Sequence, residues 1–395
     1  MSIYWNGRVQ NLSPYVPGEQ PRDRKFIKLN TNENPYPPSP RVIGAISNTI
    51  AAGKSAFGAE AAGARLRLYP DPACTELREA IAARYKVKPE QVFAGNGSDE
   101  VLAFAFAAFF ESAAGTGSAA PDAAAGANAA AALPVLFPDI TYSFYPVYAG
   151  LWDVPFRALP LGEDFSIGVD DYTIPCGGVI FPNPNAPTGL ALPLSSILSI
   201  AEAQRKNNSV VIVDEAYIAF ANTPGVESAV PCINDHPNLL TVHTLSKSAS
   251  LAGLRIGFAI GNEELIEGLC RIRDSFNSYT LDRLALAGAA AAVSDAPYYD
   301  NINRRVIATR DRVSAALSAQ GFDVVPSSAN FIFVRFPNKT GEEAFAALRE
   351  KGILVRHFNK KRIAEYLRVS IGTDAEMDSF LSACEKITGA ANYTN

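Results

Sequence analysis

A lysine and an aspartate stand where they could perform covalent chemistry. Lys247 lies among small and apolar residues, and partial burial there would lower the pKa of its amine and make it nucleophilic. Asp214 follows an apolar, β-branched run, and open α/β sheets bind ligands at the carboxyl ends of such strands. Taken singly, a lysine is usually a solvated charge, and Asp214 is better explained as a helix cap or a loop carboxylate. Together they indicate pyridoxal phosphate chemistry, in which a lysine forms a Schiff base and an aspartate contacts the pyridinium nitrogen.

A glycine-containing turn offers a place for a phosphate group. Gly95 and Gly97 permit a tight turn after a predicted strand, and Ser98 opens the helix that follows. The free backbone N–H groups at a helix N-terminus attract anions. Arg255 and Ser246 could add a cation and a hydroxyl group to the same phosphate. The alternative is an ordinary helix start, in which acidic first-turn residues complement the helix dipole.

Alternating elements predict how these residues are positioned. The predicted strands are residues 91–95, 134–137, 178–181, 209–213, 239–243 and 256–260. The segments with helical periodicity include residues 76–85, 100–110, 195–205 and 263–276. This alternation predicts an α/β fold with a largely parallel sheet, whose ligands gather at one edge.

The chain is predicted to divide into three parts. These are an N-terminal arm (residues 1–45), a large domain (46–285) and a small α+β domain (286–395), against which the arm packs. The small domain is predicted to contain helices at 299–320, 342–351 and 375–387, with strands at 330–335, 353–356 and 367–371. Residues 112–132 are almost wholly small or polar, which predicts a surface insertion in the large domain.

Composition narrows the classes of function. With 395 residues, of which 48% are hydrophobic and 19% charged, the chain is expected to be globular rather than disordered. Its net charge of −5 provides no basic surface for nucleic acid or an anionic membrane, and its apolar runs are too short to span a bilayer. Five scattered cysteines and the lack of an apolar leader predict a cytoplasmic protein. The three histidines lack metal-ligand spacing, so we expect no metal site.

Seven short blocks of sequence extend over nearly the whole chain. They read LNTNENPY (29–36), LYPD (68–71), GNGSDE (95–100), NPNAPTG (183–189), DEAY (214–217), TLSK (244–247) with Arg255, and LRVSIGT (367–373). In this order they resemble the fold-type-I pyridoxal phosphate aminotransferases, and most closely the histidinol-phosphate aminotransferases. The resemblance implies a seven-stranded, mostly parallel sheet and a homodimer with shared active sites. It also implies transamination between histidinol phosphate and 2-oxoglutarate in histidine biosynthesis, giving imidazole acetol phosphate and glutamate.

The resemblance also implies a role for each matching residue. Lys247, Asp214 and Tyr217 would be catalytic, with Tyr217 on the phenolic oxygen of the cofactor. The other cofactor-binding residues would be Gly97, Ser98, Asp99 through its backbone N–H, Tyr142 stacked on the ring, Asn185, Thr244, Ser246, Arg255 and, from the partner subunit, the residue at the position of Tyr69. The substrate would meet Tyr36, Asn185, Arg356 and Arg368. Ala186 precedes Pro-Thr-Gly where many relatives have an asparagine, and Asn185 is the candidate to replace it.

Other activities remain open from the sequence. A related pyridoxal phosphate enzyme could act on aromatic amino acids, or it could decarboxylate a substrate that resembles threonine phosphate. A non-catalytic pyridoxal phosphate sensor is a further alternative, but the full catalytic set and the lack of a basic patch argue against it. Arginines predict an anionic substrate without identifying which amino donor is physiological.

Overall fold

A computed structural model describes residues 3–15, 18–19, 25–51, 62–113 and 132–389. Most of the predicted insertion at 112–132 lies outside these described residues. The strands are β1 (Ile27–Lys28), β2 (Val92–Asn96), β3 (Val135–Pro138), β4 (Phe156–Leu159), β5 (Gly178–Pro182), β6 (Val211–Asp214), β7 (Leu239–Thr244), β8 (Ile256–Gly261), β9 (Asp323–Val325), β10 (Phe331–Arg335), β11 (Ile353–Leu354), β12 (Arg356–His357) and β13 (Tyr366–Ser370). The α-helices are α1 (Gly7–Asn11), α2 (Pro40–Ala51), α3 (Thr75–Tyr85), α4 (Gly97–Phe109), α5 (Tyr145–Trp152), α6 (Leu194–Arg205), α7 (Glu263–Phe276), α8 (Arg283–Val293), α9 (Ala296–Ala319), α10 (Gly341–Glu350) and α11 (Asp374–Thr388).

The central sheet has seven strands in the order β2-β8-β7-β6-β5-β3-β4. Strand β8 runs antiparallel to both of its neighbours, and all other neighbouring pairs are parallel. Every residue of β3, β5, β6, β7 and β8 is buried, as expected for a sheet that helices cover on both faces. Ile180 and Ile212 pack with α4, α5 and α7, whereas Val179 and Val211 pack with α6. The predicted mostly parallel α/β fold is confirmed.

The topology brings four strand ends to one edge of this sheet. Strands β2, β5, β6 and β7 point the same way, so their carboxyl ends at Asn96, Pro182, Asp214 and Thr244 lie along the same edge. Strand β8 runs in the opposite direction and therefore begins there, directly after Arg255. Residues distant in sequence thus meet at the edge where α/β folds bind ligands.

A second sheet, of four antiparallel strands, has the order β12-β13-β10-β9. Helices α9, α10 and α11 pack against it through an apolar core that includes Phe331, Leu367 and Phe380. Strand β1, which belongs to the predicted arm, pairs with β11. Helix α8 packs instead with the core formed by α2 and α3, so the boundary expected at residue 286 falls inside a large-domain helix.

Some elements differ from those expected from the sequence. Strand β4 and helix α5 were not predicted, because the first three residues of β4 are exposed at the sheet edge and carry no alternating pattern. The strand expected at 353–356 is two short strands, since β11 pairs with β1 and β12 pairs with β13. None of the helices in the described part of the chain has both the length and the apolar character needed to cross a bilayer.

Candidate active site

A cavity of about 160 Å³ opens at the carboxyl edge of the central sheet. We call it the lysine cavity. Of the residues predicted from the sequence, those that line it are Ser98, Asp99, Tyr142, Asp214, Tyr217, Thr244, Ser246, Lys247 and Arg255. Its other lining residues include Thr31 and Ala186. The fold therefore brings together side chains from the β2–α4 turn, the ends of β6 and β7, and the loop before β8.

Lys247 projects its amine into surroundings that disfavour a positive charge. Its Nζ donates a hydrogen bond to the carbonyl oxygen of Thr31 at 3.0 Å. Burial, helped by the positive charge of Arg368, lowers the pKa of Lys247 to about 8. A substantial fraction of the amine is therefore neutral near physiological pH, as a nucleophile requires.

Asp214 is a buried carboxylate at the end of β6. The side chain is buried, with the residue only 4% exposed; it accepts hydrogen bonds from the backbone N–H of Ala216 at 3.2 Å and from the Tyr145 hydroxyl at 3.3 Å. Burial raises its pKa to about 7. Among the described residues no lysine, arginine or histidine forms an ion pair with Asp214. A cationic ring nitrogen in the cavity would supply the missing positive charge.

Tyr145 and Asn32 are contacts of the site that sequence reasoning missed. Tyr145 is fully buried and holds Asp214, and Asn32 donates a hydrogen bond to the Tyr217 hydroxyl at 3.0 Å. Asn32 lies inside the LNTNENPY block, so the block itself was the available signal. Tyr145 follows Tyr142 by three residues, which indicates a shared neighbourhood but not its contact with Asp214.

The start of α4 forms an anion-binding end of the lysine cavity. The side chain of the N-cap residue Asn96 does not cap this helix, so its first backbone N–H groups remain available to a ligand. Gly97 has φ +78°, and a Cβ there would lie 2.5 Å from Nη2 of Arg255, so only glycine lets the guanidinium approach this turn. The Arg255 guanidinium also contacts the Ser246 hydroxyl at 3.4 Å. Together these groups fit a phosphate.

The Asp99 side chain contributes in a way that the sequence did not predict. Its carboxylate accepts a hydrogen bond from the Tyr142 hydroxyl at 2.5 Å and pairs with the Arg255 guanidinium at 2.9 Å. The sequence had implied only its backbone N–H. Asp99 therefore also orients Tyr142, the residue expected to stack on the cofactor ring.

Two residues that were predicted to contact the cofactor or the substrate, Asn185 and Tyr36, do not line the lysine cavity. Asn185 donates its amide protons to the carbonyl oxygen of Ile140 and to Thr188, and Ala186 lines the lysine cavity in its stead. This position corrects the expectation that Asn185 replaces the missing asparagine, because its amide is already engaged away from the cavity. The Tyr36 ring packs beneath the Arg305 guanidinium, 4.0 Å from its centroid, and lines neither the lysine cavity nor its larger neighbour.

The larger neighbour has a volume of about 590 Å³. It lies between the arm near Tyr15, the segment around Thr141, and the small-domain segment that begins at Arg356. We call it the arginine cavity. Its small-domain wall also contains His357 and Lys360, so this wall is basic.

Arg356 and Arg368 stand directly opposite each other on β12 and β13. Both guanidinium groups lie over the Phe358 ring, at 5.5 and 5.6 Å from its centroid. Arg368 is partly buried, its Nε has no hydrogen-bond partner among the described residues, and burial lowers its pKa. Two like charges at adjacent cross-strand positions repel each other, so this pair favours a shared anion.

The lysine cavity fits pyridoxal phosphate on three independent grounds. It has a partly buried amine, a helix N-terminus that Asn96 leaves uncapped beside an arginine, and a buried carboxylate that forms no ion pair with any described residue. Lys247 would hold the aldehyde carbon, Arg255 and Ser246 the phosphate, and Asp214 the ring nitrogen. Such a site can activate an amino group for transfer.

Comparison with known proteins shows the family to which this chain belongs. The family described as "Aminotransferase class I and II" matches residues 24–384, and the chain belongs to this family. Histidinol-phosphate aminotransferase of Aromatoleum aromaticum is 50% identical over 98% of this chain and 99% of its own length. The histidinol-phosphate aminotransferase of Clostridium acetobutylicum is 52% identical over 96% of this chain and 98% of its own. The resemblance drawn from the seven sequence blocks is therefore confirmed.

Solved structures support the same fold. Histidinol-phosphate aminotransferase from Sinorhizobium meliloti, solved in complex with pyridoxal-5'-phosphate, superimposes with a TM-score of 0.81. The comparison covers 99% of both chains at 22% sequence identity. At that identity the likeness concerns the fold, which is that of the fold-type-I aminotransferases predicted from the sequence.

Proposed function

We propose that this aminotransferase uses pyridoxal phosphate to transfer the amino group of histidinol phosphate to 2-oxoglutarate, within histidine biosynthesis. Relatives that share half of its residues bear the name of this activity. The observation that carries the proposal is the pair formed by Arg356 and Arg368 beside the lysine cavity. We place the reaction in the cytoplasm, where the five free cysteines would stay reduced.

The arginine pair matches substrates that carry a phosphate. Arg368 is partly buried, no acidic side chain pairs with it in the described chain, and its positive charge helps to lower the pKa of Lys247. A phosphate dianion can satisfy both guanidinium groups, whereas the single α-carboxylate of an aromatic amino acid needs only one. The two dicarboxylates, 2-oxoglutarate and glutamate, can occupy the same pair with two separate carboxylates.

Each catalytic residue has a defined task in this reaction. The cofactor, when bound, supplies an aldehyde for amine exchange and a protonated ring that accepts electrons. The Lys247 amine, with its lowered pKa, removes the proton from the carbon that bears the substrate's amino group. Asp214 holds the proton on the ring nitrogen, and Tyr217 contacts the phenolic oxygen. Tyr142 orients the ring and helps to exclude water.

Comparing amino donors tests the proposal. Purified holoenzyme would receive histidinol phosphate, an aromatic amino acid or threonine phosphate together with 2-oxoglutarate, and glutamate and CO₂ would be measured. We expect glutamate to form with the highest kcat/KM from histidinol phosphate, and no CO₂ from threonine phosphate. A higher kcat/KM with the aromatic amino acid would contradict histidinol phosphate as the donor and favour an aromatic aminotransferase. Release of CO₂ from threonine phosphate would favour a decarboxylase.

Arg356→Ala should selectively weaken binding of the phosphorylated donor. Losing one charge-assisted contact costs about 2 kcal/mol, or a roughly 30-fold rise in KM for histidinol phosphate. The KM for an aromatic amino acid should change little, because Arg368 remains. Arg335→Ala, at an exposed arginine of the same sheet that pairs with Asp323, is the matched control. Equal effects on both donors would argue against a phosphate contact.

We also propose a homodimer with shared active sites. Tyr69 is 77% exposed, stacks on Tyr279 at 4.5 Å and does not line its own lysine cavity. Leu66, Leu68 and Phe276 are exposed as well. Apolar side chains exposed in this number are typical of a surface that a partner covers, which supports the expectation that Tyr69 reaches the neighbouring subunit's phosphate.

Mixing two inactive variants tests the shared site. Tyr69→Ala and Lys247→Ala subunits should each be inactive or nearly so, and exchange in a one-to-one mixture should restore up to about a quarter of parental activity. The reason is that half of the dimers are hybrids and each hybrid has one intact site. Native mass spectrometry would verify the exchange. Hybrid dimers without any gain in activity would contradict a site that combines Lys247 of one subunit with Tyr69 of the other.

A further inference from the structure

We propose that Asn32 is a positioning residue that makes Tyr217 donate its hydroxyl proton into the lysine cavity, toward the phenolic oxygen of the cofactor. The inference rests on the proposed function, because it requires pyridoxal phosphate in that cavity. It assigns a role to an arm residue that lies 185 positions from Tyr217 in sequence.

Asn32 is held rigidly by buried hydrogen bonds. The residue is 1% exposed, and its backbone carbonyl oxygen accepts a hydrogen bond from the side-chain amide of Asn330 at 3.0 Å. Its backbone N–H donates to the Ser370 hydroxyl at 2.8 Å. Its φ is +57°, a left-handed conformation that asparagine tolerates better than most residues. Asn330, directly before β10, and Ser370, at the end of β13, therefore fix its position.

The same serine determines which way the Asn32 amide points. The Ser370 oxygen accepts the Asn32 backbone N–H, and among the described residues Oδ1 of Asn32 is the acceptor for the proton of Ser370. Ser370 donates this proton to Oδ1 of Asn32 at 2.9 Å. The Nδ2 group must then face Tyr217, and it donates to the Tyr217 hydroxyl oxygen at 3.0 Å.

An incoming amide proton determines how Tyr217 uses its own proton. Asn32 occupies one acceptor position of the phenol oxygen and cannot accept in return through an NH₂ group. In the part of the chain that the structure describes, the Tyr217 hydroxyl makes this hydrogen bond and finds no acceptor for its proton. Tyr217 lines the lysine cavity, so a ligand oxygen there receives that proton.

The direction of this hydrogen bond matters because Ala186 contributes no donor. Ala186 lines the cavity, and the Asn185 amide is engaged with Ile140 and Thr188. Among the described residues of this wall, Tyr217 is therefore the side chain that can donate to the phenolic oxygen. A donated proton stabilises the oxygen as an anion, which lowers the pKa of the cofactor's visible chromophore.

Spectrophotometric pH titration of the holoenzyme tests this role. In Asn32→Asp the new carboxylate accepts from Tyr217 and turns the phenol proton away from the cavity. We expect the chromophore pKa to rise by about one unit, since a hydrogen bond to a charged group is lost. Asn32→Ala, which introduces no charge, should raise the chromophore pKa by a smaller amount. This variant provides the test if Asn32→Asp does not fold. Ala186→Asn, which adds a donor, should lower the pKa.

Two controls separate positioning from structure and from charge. Asn330→Ala removes an anchor of Asn32 but leaves the amide on Tyr217, so it should lower thermal stability without moving the chromophore pKa. In a Tyr217→Phe background, Asn32→Asp should add no further shift. A shift that persists there, or a folded Asn32→Asp holoenzyme that titrates like the parent, overturns the inference. If the parent develops no visible band with pyridoxal phosphate, the proposed function itself fails, which is a distinct result.

Discussion

Lys247→Ala should reduce transamination to about one ten-thousandth of the parental rate or less. The substitution removes the amine that engages the cofactor and moves the substrate's proton. No other lysine lines the described walls of the cavity, so none can replace it. Glutamate formation from 2-oxoglutarate measures the loss, and absorbance after addition of pyridoxal phosphate reports whether the variant still binds the cofactor.

Chemical labelling gives an independent test of the same residue. Borohydride reduction of the holoenzyme should attach the pyridoxyl group to a single lysine, which peptide mass spectrometry locates. Lys88→Ala is a matched control, because Lys88 is an exposed lysine that pairs with Glu263 far from the cavity. It should retain both labelling and activity. A label found on a lysine other than Lys247 would falsify the assignment.

Asp214→Asn should lower kcat by roughly a thousandfold with the cofactor bound. A neutral amide cannot stabilise a protonated ring nitrogen, and breaking a buried charge pair costs about 4 kcal/mol. The amide keeps the shape of the carboxylate, so the loss reflects charge and not packing. Asp99→Asn, which alters a carboxylate at the phosphate end of the same cavity, should have a smaller effect on kcat. Near-parental turnover by Asp214→Asn would contradict the assignment of Asp214 to the ring nitrogen of the cofactor.

The same variant should change how the stability of the cofactor-free protein depends on pH. Burial raises the pKa of Asp214 to about 7, so between about pH 4 and pH 7 the folded protein binds a proton that the unfolded chain releases. The free energy of unfolding of the parent protein should therefore fall by roughly 2–4 kcal/mol as the pH rises through this window. The Asp214→Asn variant should lack this contribution. Glu215 contributes similarly in both proteins, so the difference between the denaturation curves isolates Asp214.

Several features of the site could be predicted because the chemistry is local in sequence. Lys247 with Arg255, Asp214 with Tyr217, and the Gly97–Ser98 turn each lie within a short block, and all of these residues except Gly97 line one cavity. Gly97 has a φ of +78°, and a Cβ there would displace the Arg255 guanidinium from the turn.

Asn185 shows what the short motif did not determine. Its neighbour Ala186 faces the cavity, and a difference of one residue along a loop directs a side chain to another side. The residue types of the motif do not predict in which direction each side chain points. The backbone path between β5 and α6 sets it, through contacts with Ile140 and Thr188.

By itself, the sequence determined the α/β fold, the aminotransferase family and the identity of the residues in its motifs. Periodic burial and short motifs depend on neighbours along the chain, so one sequence suffices to reveal them. Only the tertiary structure decided that Tyr145 holds Asp214, that Asn32 reaches Tyr217, and that Arg356 stands opposite Arg368. These contacts join residues far apart in sequence, and strand register and packing set them.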